Sequence, residues 1–369
     1  MKVLSLFSGV GGFDLGLEKA GMTTVGMCEW DKKASSVLRR HWPHIPIYGD
    51  ISDLTGDQLI ADGVLPDLVA FGSPCQDLSV AGKRAGLTGE RSGLFHEAVR
   101  IIRELRDLTN GSLPRWIIWE NVGGALTSNK GADFQAVLDQ MGDLGSYFSE
   151  WAIMDAQNFG IAQRRRRVFL ISCLDSRIAR GCPDPLLPLR EGSRGDIEPI
   201  REAWEKTPGR VIERARENII VGDFTRRDGF RRYGEVAHTL QSFMGTGGNN
   251  VPTVLQPFVK ARRARSVDDH ETWKKGEVSP TLNVSDNGGE VRATVLIGHG
   301  PPDYAVRRLL PLECERLMGW PDDWTRWDAD GNEQADSHRY KQTGNGVASP
   351  VAEWVGRQIF AADAIGRAS

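Results

Sequence analysis

No two cysteines in this chain stand in a C-x-x-C spacing. The five present, Cys28, Cys75, Cys173, Cys182 and Cys314, are odd in number and scattered. That argues against a disulfide framework and a cysteine-based zinc site, and it suits a reducing cytoplasm. Long apolar runs are missing too, none approaching the roughly 20 residues that cross a bilayer. The apolar start at residues 1–7 is shorter than the core of a secretory signal and runs straight into glycines. The expectation is a soluble cytoplasmic protein with no membrane partner. An excess of positive charge is also absent, the formal net charge being −3. Any contact with nucleic acid must then come from local basic patches, because phosphates need cations only along the docking surface.

What is present is ordinary for a globular enzyme: 369 residues, 40% hydrophobic and 26% charged. That length holds one large domain and a smaller one. Short apolar runs at residues 3–7, 23–29, 45–48, 66–71, 115–119 and 168–173 read as strands. Helical spacing of apolar residues occurs at 13–20, 93–108 and 133–141. Strands alternating with helices predict an α/β fold, a doubly wound Rossmann-like sheet whose ligands sit at the carboxyl ends of the strands.

After residue 174 the alternation stops, and 175–235 is rich in Pro, Arg and Glu without a clear pattern. A weak repeat follows. Ala237-His-Thr-Leu240 leads through Gly247-Gly248 to Pro252-Thr-Val-Leu255, and Ser279-Pro-Thr-Leu282 leads through Gly288-Gly289 to Ala293-Thr-Val-Leu296. Two copies are too few for a solenoid and predict two similar β-hairpins in a small, mostly β or irregular domain. Helical patterns resume at 307–319 and 348–362.

Phe7-Ser-Gly-Val-Gly-Gly12 follows a strand and opens a helix. Glycines there let a ligand approach the backbone, and a helix start offers free N–H groups. Glu29, twenty residues after Gly9, suits the two hydroxyls of a ribose. Trp30 is placed to stack on an adenine, and Asp50 ends the third strand. The glycines run G-x-G-G, not the G-x-G-x-x-G of a pyrophosphate cradle. A cofactor without a pyrophosphate is favoured, with a dinucleotide oxidoreductase as the alternative.

Gly72-Ser-Pro-Cys75-Gln-Asp follows the fourth strand, which should project Cys75 into the cofactor cleft. A lone cysteine is most often a small buried hydrophobe, but one in a turn directly after an apolar strand is less easily dismissed. The glycines and cations of residues 78–93 resemble a lid that closes over a polyanion. Glu120, ending the apolar run Trp116-Ile-Ile-Trp119, is placed for a raised pKa and a general-acid role. In Gln163-Arg-Arg-Arg-Arg167, strand alternation predicts Arg165 and Arg167 on one face and Arg164 and Arg166 on the other.

These blocks, in this order, resemble the C5-cytosine DNA methyltransferase family. They are joined by Arg308-Leu-Leu-Pro-Leu-Glu-Cys-Glu-Arg-Leu-Met-Gly-Trp-Pro321 and Gln342-Thr-Gly-Asn-Gly-Val347, so the likeness spans 1–174 and 304–355. It implies S-adenosylmethionine as cofactor, double-stranded DNA as partner, a monomer, and a restriction endonuclease acting separately where one exists. Cys75 would attack C6 of a flipped-out cytosine. Glu120 would bond N3 and the exocyclic amine. Arg167 would lie near O2, and Arg165 near the nucleophile and substrate backbone. Phe7, Gly9, Val10 and Gly12 would surround the methionine part of the cofactor, Glu29 its ribose, and Trp30 and Asp50 its adenine. Ile51, Pro74 and Asn345 complete that set.

The implied division is a catalytic domain over 1–180, a target recognition domain over 181–303, and a return to the catalytic domain over 304–369. The glycine-rich tips 244–250 and 286–290 and the Lys260-Ala-Arg-Arg-Ala-Arg265 patch would face DNA. Two positions depart from the family pattern. Leu309-Leu-Pro-Leu-Glu313 replaces Leu-Thr-Pro-Arg-Glu, and Gly346 stands where many members have Ser. A catalytically dead DNA-binding relative and a tRNA-directed one are the remaining alternatives.

Overall fold

The computed structural model describes residues 1–73, 93–183, 185–187 and 309–367 in full. It gives the backbone alone of residue 368 and of eight strands between 220 and 307. Strands and helices alternate as the apolar spacing predicts. β1 (Lys2–Leu6), α1 (Gly12–Lys19), β2 (Thr23–Cys28), α2 (Lys32–His41), β3 (Ile47–Tyr48), α3 (Gly56–Ala61) and β4 (Leu68–Phe71) come first. Then follow α4 (Gly93–Leu108), β5 (Trp116–Val122), α5 (Ala132–Asp143), β6 (Phe148–Asp155), β7 (Gln163–Arg164), β8 (Arg166–Cys173) and α6 (Ser176–Gly181).

Seven of these strands form one sheet in the order β3-β2-β1-β4-β5-β8-β6. From β3 to β5 the strands run parallel, while β8 runs antiparallel to both β5 and β6. The chain moves outward from β1 to β3, then returns to the other side of β1 with β4. That reversal leaves a crevice at the carboxyl ends of β1 and β4. Loops after β1, β2 and β3 open onto it, and so do Gly72 and Ser73 directly after β4.

Both faces of the central strands are buried, so their side chains divide by alternation. Trp116 and Ile118 of β5 join Phe13 and Leu17 of α1 in one apolar layer. Ile117 and Trp119 join Phe95 and Ile102 of α4 and Phe134 of α5 in the other. Each such fully buried large side chain contributes roughly 1.5–3 kcal/mol from its apolar area.

The C-terminal helices Pro311–Leu317, Asp336–Asn345 and Ser349–Ala368 complete the first layer. Proline at its first turn fixes where the first of them starts. The last helix lies so close to α1 that a Cβ on Gly16 would sit 2.5 Å from the Ser349 carbonyl oxygen. Its far end is fastened to the foot of the sheet. Arg115 pairs with Asp67 at 2.5 Å and Asp363 at 3.0 Å, and the Trp116 indole donates to Asp363 at 3.1 Å.

Two expectations for the middle of the chain change. Residues 220–234, read as unpatterned, contain the antiparallel strands Ile220–Thr225 and Gly229–Gly234. The first repeat copy is not a hairpin: Ala237–His238 pairs in parallel with β7, and Thr253–Leu255 pairs antiparallel with Ile220–Thr225. Likeness of sequence specifies which face a strand buries, not which neighbour it takes. Of the second copy, Val295–Gly298 pairs with Tyr304–Arg307. Residues 279–282, the tips 244–250 and 286–290, and residues 263–265 of the basic patch lie outside the described residues. Among the described residues no helix is long and apolar enough to cross a membrane.

Candidate active site

Beyond β1 the backbone turns left-handed at Phe7 (φ 54°), Gly9 (58°) and Gly11 (82°). A non-glycine residue in that region stores on the order of 1 kcal/mol, so the loop has to be held from outside. Ser8 N–H donates to the Cys28 carbonyl at 3.0 Å, and Gly9 N–H to Glu29 Oε2 at 2.8 Å. From the far end of the sequence, the Trp324 indole donates to the Val10 carbonyl at 2.8 Å. A Cβ on Gly9 would meet no described atom within 4 Å, whereas one on Gly12 would sit 2.5 Å from the Val347 carbonyl oxygen. Gly9 thus faces no described residue, while Gly12 lets the C-terminal segment close on the loop.

Glu29 follows β2 and is 8% exposed. Burial pushes its carboxyl pKa up, against backbone donors that pull it down. Its other oxygen accepts from Asp31 N–H at 2.8 Å. Asp31 in turn caps α2 and pairs with Lys341 at 2.7 Å. Each carboxylate oxygen keeps acceptor capacity beyond its one backbone bond. The indole of Trp30 next to it is 74% exposed, a free aromatic face at the rim. Asp50 is exposed after β3 and accepts from Ser52 N–H at 3.0 Å, while Ile51 is buried beneath it.

At the adjacent strand ends, β4 and β5 pair in parallel with Phe71 opposite Trp119. The next residues, Gly72 and Glu120, therefore stand side by side, and a Cβ on Gly72 would lie 3.1 Å from Glu120 Oε2. Ser73 is held from β5. Trp119 Nε1 donates to its hydroxyl at 3.0 Å, and Asn121 Nδ2 donates to its carbonyl at 3.3 Å and its hydroxyl at 3.2 Å. Pro74 and Cys75 lie in residues 74–92, outside the described residues.

Burial pushes the Glu120 carboxyl pKa up, and the charges of Arg167 and Arg165 partly oppose it. Arg167 Nε stands 3.2 Å from Glu120 Oε1. As strand alternation predicts, Arg165 and Arg167 turn inward, Arg165 being 3% exposed, while Arg164 and Arg166 face outward. Arg165 Nη2 donates to the carbonyls of Gly344 and Gly346, at 3.2 and 2.6 Å. These flank Asn345, which is exposed at the end of its helix.

The structure thus brings Phe7, Gly9, Val10, Glu29, Trp30 and Asp50 to neighbouring strand ends, and Glu120, Arg165 and Arg167 to one wall. Sequence reasoning missed Asn121 and Trp324 as supports. Asn121 sits inside a noted block, but its amide reaches a residue 48 positions away, which no local spacing records.

Comparison with known proteins turns this geometry into a family. Residues 1–361 match the model described as C-5 cytosine-specific DNA methylase. The chain belongs to the C5-cytosine DNA methyltransferases. Type II methyltransferase M2.BsuMI of Bacillus subtilis (strain 168) is 28% identical over 362 residues, 97% of this chain and 75% of its own length. Type II methyltransferase M.BsuFI of Bacillus subtilis is 32% identical over 356 residues, 95% of this chain and 70% of its own. The crystal structure of S. pombe Dnmt2 methyltransferase aligns with a TM-score of 0.60 over 98% of this chain and 99% of that one, at 16% identity. That likeness speaks for the fold. C5-cytosine DNA methyltransferases use S-adenosylmethionine and act on double-stranded DNA.

Proposed function

We propose that this methyltransferase modifies C5 of a cytosine flipped out of a specific duplex DNA sequence, through a covalent bond between Cys75 and C6. The observation that carries the reading is the juxtaposition of Gly72 and Glu120. It puts Gly72, three positions before Cys75 in the chain, beside a carboxyl whose pKa burial raises. A neutral carboxyl donates to N3 as negative charge builds on the ring, and so eases addition of the Cys75 thiolate at C6. Addition makes C5 nucleophilic. S-adenosylmethionine, when bound, supplies a methyl group on a sulfonium as electrophile. With S-adenosylhomocysteine left behind, loss of the C5 proton to solvent expels the Cys75 thiolate, and return of the N3 proton to Glu120 restores the ring. C6 is unreachable within a stacked duplex, hence the flipped base.

The residues after β1, β2 and β3 fit that cofactor. Gly9 faces no described residue above the loop, Glu29 offers a buried carboxylate to ribose hydroxyls, Trp30 offers an exposed ring to adenine, and Asp50 offers an exposed carboxylate to the adenine amine. Arg167, whose Nε stands 3.2 Å from Glu120 Oε1, would reach O2 of the same base. Residues 181–303 are assigned to target recognition, acting as a monomer on one site.

Bisulfite sequencing of DNA from cells expressing the chain tests this reading. Protected cytosines in one short motif, lost with Cys75→Ala, support it. Absence of protection in the unaltered chain overturns it.

A further inference from the structure

We infer that Arg100 is a positioning residue for the adenine end of the cofactor, an inference that rests on the role proposed for Asp50. Arg100 lies on α4, against the turn that follows β3. Its guanidinium makes four bonds. Nη2 donates to the carbonyls of Ile51 and Leu54, both at 3.0 Å. Nε donates to Glu97 Oε2 and Nη1 to Glu104 Oε1, both at 2.8 Å. The second oxygen of Glu104 accepts from Gly56 N–H at 2.7 Å. One face of α4 thus holds the whole stretch from Ile51 to Gly56.

Within that stretch the internal bonds are few and local. Ser52 N–H reaches Asp50 Oδ1 at 3.0 Å, and Asp53 and Leu54 N–H reach the carbonyls of Asp50 and Ile51, each at 3.2 Å. Such a turn, with Asp50, Ser52 and Asp53 exposed, opens readily unless something outside ties it down. Arg100 does so through backbone carbonyls, so the tie fixes where the Asp50 backbone runs whatever side chains flank it. Both carbonyls bond the same nitrogen, whose two hydrogens the planar guanidinium fixes in direction, whereas the ammonium of lysine turns freely. Glu97 and Glu104, three residues before and four after on the same helix, set the plane of the fork. All three side chains are about a third exposed, so these ion pairs add little stability. What they supply is orientation.

Calorimetry with S-adenosylhomocysteine and S-inosylhomocysteine tests this, because the second carries an oxygen in place of the adenine amine that Asp50 is proposed to accept from. The chains compared are the unaltered enzyme, Arg100→Gln, Arg100→Lys and Val99→Ala. The last thins the buried side of the same helix, Val99 being 2% exposed. We expect the unaltered enzyme to prefer the adenosyl compound and Arg100→Gln to shrink that preference about tenfold, the scale of one well-placed hydrogen bond. KM for S-adenosylmethionine should rise without a matching fall in kcat, and Arg100→Lys should lie between. Val99→Ala should lower the melting temperature and keep the preference. A preference that survives in Arg100→Gln, or one that Val99→Ala erodes equally, overturns the inference alone. Equal binding of both compounds by the unaltered enzyme overturns the Asp50 role first and the inference with it.

Discussion

Trp324 donates its indole N–H to the carbonyl of Val10 at 2.8 Å, joining residues 314 positions apart in sequence. The ring is fixed for that task. His41 stacks on it with centroids 3.6 Å apart and planes 4° from parallel, and Trp42 meets it edge-on at 5.6 Å. The loop after β1 is thereby held by the C-terminal return, which explains why the catalytic sheet needs its last helices. Trp324→Phe keeps the stack but leaves a buried carbonyl without its donor. Stability should fall by about 1–3 kcal/mol, measured by urea unfolding. KM for S-adenosylmethionine should rise while kcat at saturation holds.

Asn121 should matter to chemistry and not to cofactor binding. Its amide holds both the carbonyl and the hydroxyl of Ser73, two residues before Cys75. Asn121→Ala frees that strand end. Displacing a nucleophile by about 1 Å can cost on the order of 100-fold in rate. The expected result is a kcat loss of that order with S-adenosylhomocysteine affinity unchanged. A loss of affinity with kcat intact would contradict the assignment.

The sheet was legible because its strands are short apolar runs bounded by turn residues, and the helix at 93–108 because its apolar positions repeat cleanly on one face. β6 was not. It is an edge strand with Trp151 45% exposed and Ser149 and Glu150 half-buried, so its pattern lacks the continuous apolar signal of β4 or β5. α2 hid behind its cations, although Asp31 caps it and Ala34, Val37 and Leu38 form its buried stripe. At the site, Glu29, Asp50 and Glu120 could be found because each follows a short apolar run. The roles of Asn121, Arg100 and Trp324 could not, because each acts on a backbone group distant in sequence.

Arg165 and Arg167 both pull the pKa of Glu120 down against its burial. Removing one positive charge should therefore raise that pKa further. If protonated Glu120 is the active form, the alkaline limb that it governs in the kcat/KM profile should move to higher pH in Arg165→Gln. It should move less in Arg165→Lys, which keeps the charge. A limb displaced to lower pH in Arg165→Gln would contradict the assignment of Glu120 as proton donor.

Asp14 offers a test of stability separate from catalysis. It is fully buried on α1, its Oδ2 has no hydrogen-bond partner among the described residues, and burial pushes its pKa up to about 7. Since the folded value lies above the ordinary 3.8, the folded state prefers the proton. Stability is then greatest below about pH 4 as far as this group is concerned, and is lost as pH rises towards about 7. The difference between 3.8 and about 7 corresponds to a cost on the order of 4 kcal/mol at pH 8. Asp14→Asn should be more stable than the unaltered chain at pH 8, and melting curves across that range should show a shallower decline. Equal pH dependence in both chains would contradict this.

The central claim is nucleophilic attack by Cys75, and a duplex carrying 5-fluorocytosine at the target base tests it most directly. Fluorine at C5 cannot leave as a proton does, so elimination is blocked after methyl transfer. With S-adenosylmethionine present, the account predicts a denaturation-resistant protein–DNA adduct whose attachment maps by mass spectrometry to Cys75, and none with Cys75→Ser. An enzyme that methylates the unmodified duplex yet forms no such adduct, or forms it through another residue, would contradict the account.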